Sequence, residues 1–163
     1  AEDDGAQRAL RTTLAGLTVH TPSGSPTSAL ARAISGKWYE LAANPAGLRA
    51  VSLDLTSKTP ALIVRSATDE TRTPLGLGTW ARTTPGFANG IEKMLSVPER
   101  PQVAASGAWT SDSVFRVKLV APETPFYSTL DFRFDGNRVV VDGEQNVSFG
   151  PTKLPRLEGR TAR

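Results

Sequence analysis

The sequence predicts a mainly β domain, an antiparallel barrel or sandwich of eight or nine strands preceded by a short N-terminal helix and a linker. From Lys37 onward, apolar and polar residues alternate with a period of two, which is typical of strands with one face on a core and one in water. All eleven aromatic residues lie between Trp38 and Phe149. The turn Asp135-Gly136-Asn137 separates two alternating runs and indicates a hairpin, because glycine accepts the positive φ of a tight turn.

Residues 1–36 are predicted to form a helix and a Pro/Ser-rich linker. Residues 6–17 carry apolar side chains at helical spacing, which predicts a short amphipathic helix. A helix of this length is marginally stable alone in water, so we expect it to dock on another surface. Proline, glycine and serine dominate residues 21–28, as in a connector, and a second short apolar piece over residues 29–34 leads into the first strand.

Residues 37–151 are predicted to form the antiparallel β domain, and residues 152–163 a basic C-terminal tail. Turn residues divide the β domain into short strands, as in a barrel or sandwich. One helical turn is predicted among them, over residues 88–96. The strands are expected near residues 37–42, 49–56, 61–67, 78–82, 103–109, 114–120, 126–134, 138–142 and 146–149.

The charge distribution argues against a nucleic-acid partner. The formal net charge is +3, but residues 1–149 carry equal numbers of basic and acidic side chains and the whole excess lies in the last fourteen residues. A neutral body with a short basic tail is a poor phosphate-binding surface. No apolar run approaches the roughly 18 residues of a membrane span.

No catalytic, cofactor-binding or metal-binding residue is predicted. The chain has no cysteine and a single histidine, which excludes thiolate zinc sites, cysteine nucleophiles and His-rich metal sites. That histidine, His20, lies in the linker, and a nucleophilic serine needs a base within hydrogen-bond reach. The Ser-x-x-Lys pattern of serine acyl-transfer enzymes does not occur.

Five residues are candidates for a ligand or interaction surface. Trp38, Trp80 and Trp109 each follow a glycine by two positions within a predicted strand. Large rings over small neighbours fill a barrel core, and the alternative is that they form a ligand or partner surface. Asn146 and Phe149, in the run Asn146-Val147-Ser148-Phe149, are the other two candidates, and the first three residues of this run also match a glycosylation sequon.

The run Gly36-Lys37-Trp38 resembles the Gly-x-Trp signature at the first strand of lipocalins. The match covers about six residues, the two later motifs of the family cannot be placed, and the cysteines that usually staple those barrels are missing. The resemblance implies a lipocalin-like barrel.

A longer resemblance covers residues 29–159. The chain is similar to the C-terminal domain that follows the catalytic domain in serine hydrolases of the class C β-lactamase and penicillin-binding type. Residues 6–28 also resemble the helix and linker that join the two domains there. The segments that carry the resemblance are, in order, Ser35 to Leu41, Asn44 to Leu48, Pro74-Leu75-Gly76, Gly78-Thr79-Trp80, Ala105 to Trp109, Thr124-Pro125-Phe126 and Asn146 to Pro151.

This resemblance implies an accessory role without catalysis. The Ser-x-x-Lys, Tyr-x-Asn and Lys/His-x-Gly motifs of the family belong to the preceding domain, and none maps onto a residue of this chain. The implied partner is the catalytic serine-hydrolase domain of the same chain, an esterase, amidase or peptidase, with a homo-oligomer as a further possibility. A periplasmic or extracellular location is compatible with the resemblance, because such proteins are often exported by bacteria.

Two alternatives belong to other classes of protein. One is a free-standing lipocalin-like binder of a small apolar ligand, since barrels of eight strands hold one ligand or are filled by side chains. The other is an interaction module that docks through its strand edges or its basic tail.

Overall fold

The chain forms a nearly closed β-barrel with a short N-terminal helix, in a computed structural model that describes residues 4–83, 102–122 and 124–161. About 45% of the described residues lie in strands. The predicted helical turn over 88–96 lies outside the described residues. Helices α1 (Asp4–Ala15) and α2 (Leu30–Ile34) precede strands β1 (Trp38–Leu41), β2 (Ala50–Asp54), β3 (Ala61–Arg65), β4 (Glu70–Pro74), β5 (Gly76–Leu77), β6 (Ala81–Arg82), β7 (Ala104–Ser111), β8 (Val114–Val120), β9 (Tyr127–Asp135), β10 (Arg138–Gln145) and β11 (Leu157–Thr161).

One sheet contains all eleven of these strands, in the order β4-β3-β2-β1-β11-β10-β9-β8-β7-β5, with β6 paired to β7 beside β5. Strands β4 and β5 stand at opposite ends of this path, yet only Leu75 separates them in the chain. Leu75 is 2% exposed and its N–H donates to the carbonyl of Pro60 at 2.7 Å. The chain itself therefore bridges the two edges of the sheet and nearly closes the barrel.

The predicted antiparallel β fold is confirmed, with two differences of detail. The strand count is slightly above eight or nine, and β5 pairs with β7 in parallel, through Gly76–Ser106 and Leu77–Gly107. The chain runs straight on from β4 into β5 where the barrel closes, so β5 keeps the direction of β4. That direction places β5 parallel to β7.

The predicted strand over 146–149 is absent, and the last strand lies instead in the predicted tail. Residues 146–150 form a bend and an irregular loop, whereas β11 pairs with both β1 and β10. Sequence reasoning missed β11 because its inward positions carry one large apolar residue, Leu157, followed by Gly159. A Cβ at Gly159 would lie 3.0 Å from Cδ2 of Leu41 and 3.2 Å from Cβ of Tyr39, so a larger residue would fit only if these neighbours shifted.

Strand β4 was missed for a different reason. Its sequence, Glu70 to Pro74, contains no large apolar residue, and the side chains that it buries are Thr71 and Thr73. Its position comes from five register pairs with β3, which no local pattern announces.

The interior of the barrel is filled by side chains. Phe115, Phe132 and Tyr39 are the largest fully buried residues. The cavity between the aliphatic side chains of β1–β3 and β9–β11 measures about 10 Å³. A space of that size holds at most one water molecule.

The linker is docked on the barrel wall. The backbones of Ser25 and Trp109 exchange two hydrogen bonds of 2.9 and 2.8 Å, and the Ser28 hydroxyl donates to the carbonyl of Asp112 at 3.2 Å. A Cβ at Gly24 would lie 2.2 Å from the carbonyl oxygen of Trp109, so glycine permits the close approach. The connector predicted over residues 21–28 thus forms part of the folded unit.

Candidate functional site

The described residues contain no group of three or more acidic or histidine side chains placed to hold a metal ion. His20 is exposed in the linker, where its backbone carbonyl accepts a hydrogen bond from Nζ of Lys118 at 3.1 Å. Burial raises the pKa of Tyr39 above its ordinary value of 10.0, so its phenol stays neutral at physiological pH.

The three tryptophans occupy three different environments. Trp109 is a core residue on β7, and its ring centroid lies 5.2 Å from that of Phe115. Trp38 is half-buried on β1, with the Arg65 guanidinium 4.0 Å from its ring centroid. Trp80 is half-buried between β5 and β6, and its indole N–H donates to the carbonyl of Val19 at 3.1 Å. Trp109 therefore lies in the core. Trp38 contacts the Arg65 cation, and Trp80 hydrogen-bonds to the linker.

Asn146 anchors the loop between β10 and β11. Its Oδ1 accepts from the N–H of Tyr127 and its Nδ2 donates to the carbonyl of Pro125, both at 2.8 Å. The N–H of Gln145 donates to the carbonyl of Thr152 at 2.8 Å and closes the base of the loop. The Asn146 amide of the sequon is thus held by the protein's own backbone.

Phe149 lies in the same loop and its side chain is fully exposed. Val147 beside it is also exposed. A single exposed apolar residue needs no explanation, but large apolar side chains that cluster on a surface indicate an interaction site.

A polar groove of about 710 Å³ lies beside this loop, over the outer face of β8–β10. Arg116 and Asp131 form a bidentate pair across its floor with distances of 2.6 and 2.7 Å, and that hydrogen bonding raises the pKa of Arg116. Arg156, expected in the basic tail, pairs with Asp142 at 2.7 Å. These charged groups satisfy one another, so the groove presents a neutral ion-pair network and no free anion-binding cluster.

A second groove, of about 700 Å³, separates the linker and α2 from the β7–β8 turn. Leu30, Ala33 and Trp109 contribute apolar surface to it, and Ser25 and Asp112 contribute polar groups. The linker hydrogen bonds described above form one of its walls, so it is a seam between the linker and the barrel.

Helix α1 has no buried residue among the described parts of the chain. The expectation that it docks on another surface is therefore not met within these residues. Six large apolar side chains are exposed among the described residues, and four of them belong to α1 and the start of the linker, while two belong to the loop after β10. They are Leu10, Leu14, Leu17, Val19, Val147 and Phe149.

Sequence reasoning identified Phe149 and the helical stripe, but it missed the residues that lie between them. Lys118 contacts the linker at His20 and stands 4.4 Å from the ring centroid of Tyr127. Lys118 and Tyr127 lie on β8 and β9, at outward positions of alternating strands. That alternation could have marked them as surface residues, but their contact with a linker about 100 residues away leaves no local signal.

No protein-family model matches the chain, and no curated protein is significantly similar to it. Neither of the described helices is long and apolar enough to cross a membrane.

Proposed function

We propose that this chain is the non-catalytic accessory C-terminal domain of a β-lactamase-related serine hydrolase of the esterase, amidase or peptidase class. In this role it shapes substrate access or assembly of the enzyme. The observation that carries the proposal is the ordered series of motifs over residues 29–159, together with the lack of any nucleophile–base pair in the sequence motifs.

The residues that carry the resemblance have scaffold roles, which supports an accessory domain. Asn44 clamps its turn, because Nδ2 donates to the carbonyls of Ala42 and Leu48 and Oδ1 accepts from the N–H of Leu48. Gly47 in the same turn has a φ of 68°, which favours glycine. At Gly107, a Cβ would lie 2.4 Å from the Phe115 ring. The motifs thus specify turns and close packing of a barrel.

The exposed face of α1 supports a covalently attached partner domain. Leu10 and Leu14 lie on one side of the helix at a spacing of four residues, Leu17 follows just after its end, and each is more than half exposed. An amphipathic helix of twelve residues is stabilised mainly by packing of its apolar face. A hydrolase domain packed on α1 would supply that packing.

The alternative of a small-molecule binder has less support. A lipocalin-like binder needs an internal cavity large enough for its ligand, and ligand pockets measure about 300–1,000 Å³. The cavity between the aliphatic side chains of β1–β3 and β9–β11 measures about 10 Å³, far below that range. We therefore place the first test on the attached hydrolase domain.

The test is the size of the natural polypeptide, detected in source-cell extract with an antibody raised against residues 38–149. We expect a band several times larger than 17.4 kDa, with a Ser-x-x-Lys motif upstream of α1. A band near 17 kDa contradicts the proposal and favours a free-standing binder.

A second measurement tests the lack of catalysis. Purified residues 1–163 should not hydrolyse a β-lactam or a p-nitrophenyl ester above a heat-killed control. Turnover above that control contradicts the proposal, because it would require a catalytic group within this chain.

A further inference from the structure

We propose that the barrel wall beside Trp109 is a docking slot for an extended segment that contains glycine, and that residues 19–28 occupy this slot as an exchangeable ligand from the same chain. The slot consists of the barrel groups that hydrogen-bond to the linker, which are the backbones of Trp109 and Asp112 and the side chains of Trp80 and Lys118. The inference goes beyond the proposed function and does not depend on it.

The slot begins where strand β7 has no further neighbour among the described strands on one of its edges. That edge pairs with β5 and β6 at residues 104–107. Ser25 takes their place at Trp109, where the two residues form an isolated antiparallel bridge. The N–H of Ser25 donates to the carbonyl of Trp109 at 2.9 Å, and the N–H of Trp109 donates to the carbonyl of Ser25 at 2.8 Å. Addition of an extended segment to a sheet edge is a recurrent mode of peptide recognition.

Two side chains of the barrel also bind the main chain of the linker. The indole N–H of Trp80 donates to the carbonyl of Val19 at 3.1 Å. Nζ of Lys118 donates to the carbonyl of His20 at 3.1 Å. Every residue has a backbone carbonyl, so these contacts hold an extended chain without selecting its sequence.

Two positions of the linker do select a residue type. A Cβ at Gly24 would lie 2.2 Å from the carbonyl oxygen of Trp109, so glycine must stand directly before the paired residue Ser25. The hydroxyl of Ser28 donates to the carbonyl of Asp112 at 3.2 Å. The slot therefore fits an extended segment with glycine and, four positions later, a hydroxyl side chain.

The linker is prearranged for a single bridge. The residue before a proline favours extended backbone, and Pro26 follows Ser25 directly. The Ser25 hydroxyl donates to the carbonyl of Thr27 at 2.7 Å and accepts from its N–H at 3.2 Å. Because proline has no N–H, the pairing with β7 does not continue through Pro26.

The linker is held by hydrogen bonds and not by buried side chains. No described residue before Ile34 is buried. A hydrogen bond contributes little net free energy where water replaces the lost partner, and ordering the segment costs conformational entropy. Segments with few buried apolar contacts open locally while the rest of the fold stays intact. The linker can therefore leave the slot without unfolding of the barrel.

Hydrogen exchange at the Trp109 amide, measured by NMR in the full 163-residue chain, tests whether Gly24 is required for docking. Gly24→Ala should empty the slot and raise the exchange rate of this amide by about tenfold or more, while the amides of β9 keep their wild-type rates. Gly16→Ala is the matched control, because a Cβ there lies 3.5 Å from its nearest neighbours, and it should change neither rate. An unchanged Trp109 rate in Gly24→Ala contradicts the glycine requirement. Faster exchange in β9 as well shows that the barrel needs the linker, which overturns the exchangeable slot.

A synthetic peptide of residues 17–29 tests whether the slot accepts a segment in trans. At millimolar concentration, the range of a short flexible tether, the peptide should slow Trp109 exchange in the Gly24→Ala chain toward the wild-type rate. The same peptide with Gly24→Ala should have no effect. A fluorescent copy of the wild-type peptide should bind the wild-type chain about tenfold or more weakly than the Gly24→Ala chain, because the tethered linker competes. No slowing by the wild-type peptide, or equal slowing by both peptides, overturns the slot, and equal binding to both chains overturns its occupation by the linker.

Discussion

The barrel interior differs from α1 and the loop after β10 in how far apolar side chains are buried. Inside the barrel, Phe115, Val117 and Leu119 of β8 are completely buried, and the cavity between the aliphatic side chains of β1–β3 and β9–β11 measures about 10 Å³. Outside it, Leu14 of α1 is 55% exposed and Phe149 fully so. Hydrophobic stabilisation follows the apolar area removed from water, so the described chain folds through its interior while these exposed residues contribute little.

The largest expected effect belongs to the interior. Phe115→Ala removes a ring that packs on Trp109 at 5.2 Å between centroids and fills the space left by Gly107. Because the surrounding sheet cannot collapse into that space, we expect the free energy of unfolding to fall by about 3–5 kcal/mol. Urea denaturation followed by tryptophan fluorescence measures it. Phe115→Leu is the matched control and should cost less, and an equal loss in both variants would contradict the packing argument.

The same contrast explains which strands the sequence predicts. Strands β8, β9 and β10 have seven to nine residues and alternate between core and water. A turn at Gly136, with a φ of 57°, joins β9 to β10. Those signals are local. Strands β5 and β6 have two residues each and exist through pairing with β7, so their position depends on residues about 20–30 positions away.

The candidate site was predictable to a similar extent. The helical stripe and the aromatic residues were visible in the sequence, but the burial of Trp109 and the exposure of Phe149 depend on which side of the wall each faces. The contacts that bring the linker to Lys118 and Tyr127 depend on the complete barrel. Pattern reasoning can nominate such residues, and only the fold can group them.

A smaller effect is expected at the base of the loop after β10. Asn146→Ala removes both side-chain hydrogen bonds, to Tyr127 and Pro125. Because the site is exposed and water can replace the lost partners, we expect a loss of about 1 kcal/mol, with faster amide hydrogen exchange confined to residues 146–151. Asn146→Asp keeps the acceptor for Tyr127 but sets a carboxylate oxygen against the carbonyl of Pro125, so it should lose about as much as Asn146→Ala. Exchange that rises throughout the barrel would show that Asn146 supports the whole fold and not the loop alone.

Tyr39 is a polar exception within the interior. Its hydroxyl is buried and has no hydrogen-bond partner among the described residues, so Tyr39→Phe removes an unsatisfied group at almost constant volume. We expect the free energy of unfolding to rise by up to about 1 kcal/mol at neutral pH. A substantial loss of stability in chemical denaturation would indicate that the hydroxyl has a partner.

The buried phenol of Tyr39 also predicts how the stability of the chain depends on pH. Burial raises the pKa of its phenol in the folded chain, so the folded chain holds this proton more tightly than the unfolded chain. The free energy of unfolding therefore falls as pH rises above the ordinary pKa of 10.0 through the folded pKa. Wild-type stability should therefore decline above pH 10, and Tyr39→Phe should decline less steeply. Tyr127→Phe, at a half-buried tyrosine on β9, serves as the control.

The smallest expected effect is at the exposed apolar side chains of α1. Leu14→Ser in the 163-residue chain replaces a side chain that is 55% exposed and belongs to a helix without buried residues, so unfolding should change by less than about 0.5 kcal/mol. Leu62→Ser, at a position 1% exposed on β3, is the same chemical change in the interior and should cost several times more. Equal costs in the two variants would mean that α1 packs on the barrel in solution. Its apolar face would then stabilise the barrel itself, and no partner domain would be needed to cover it.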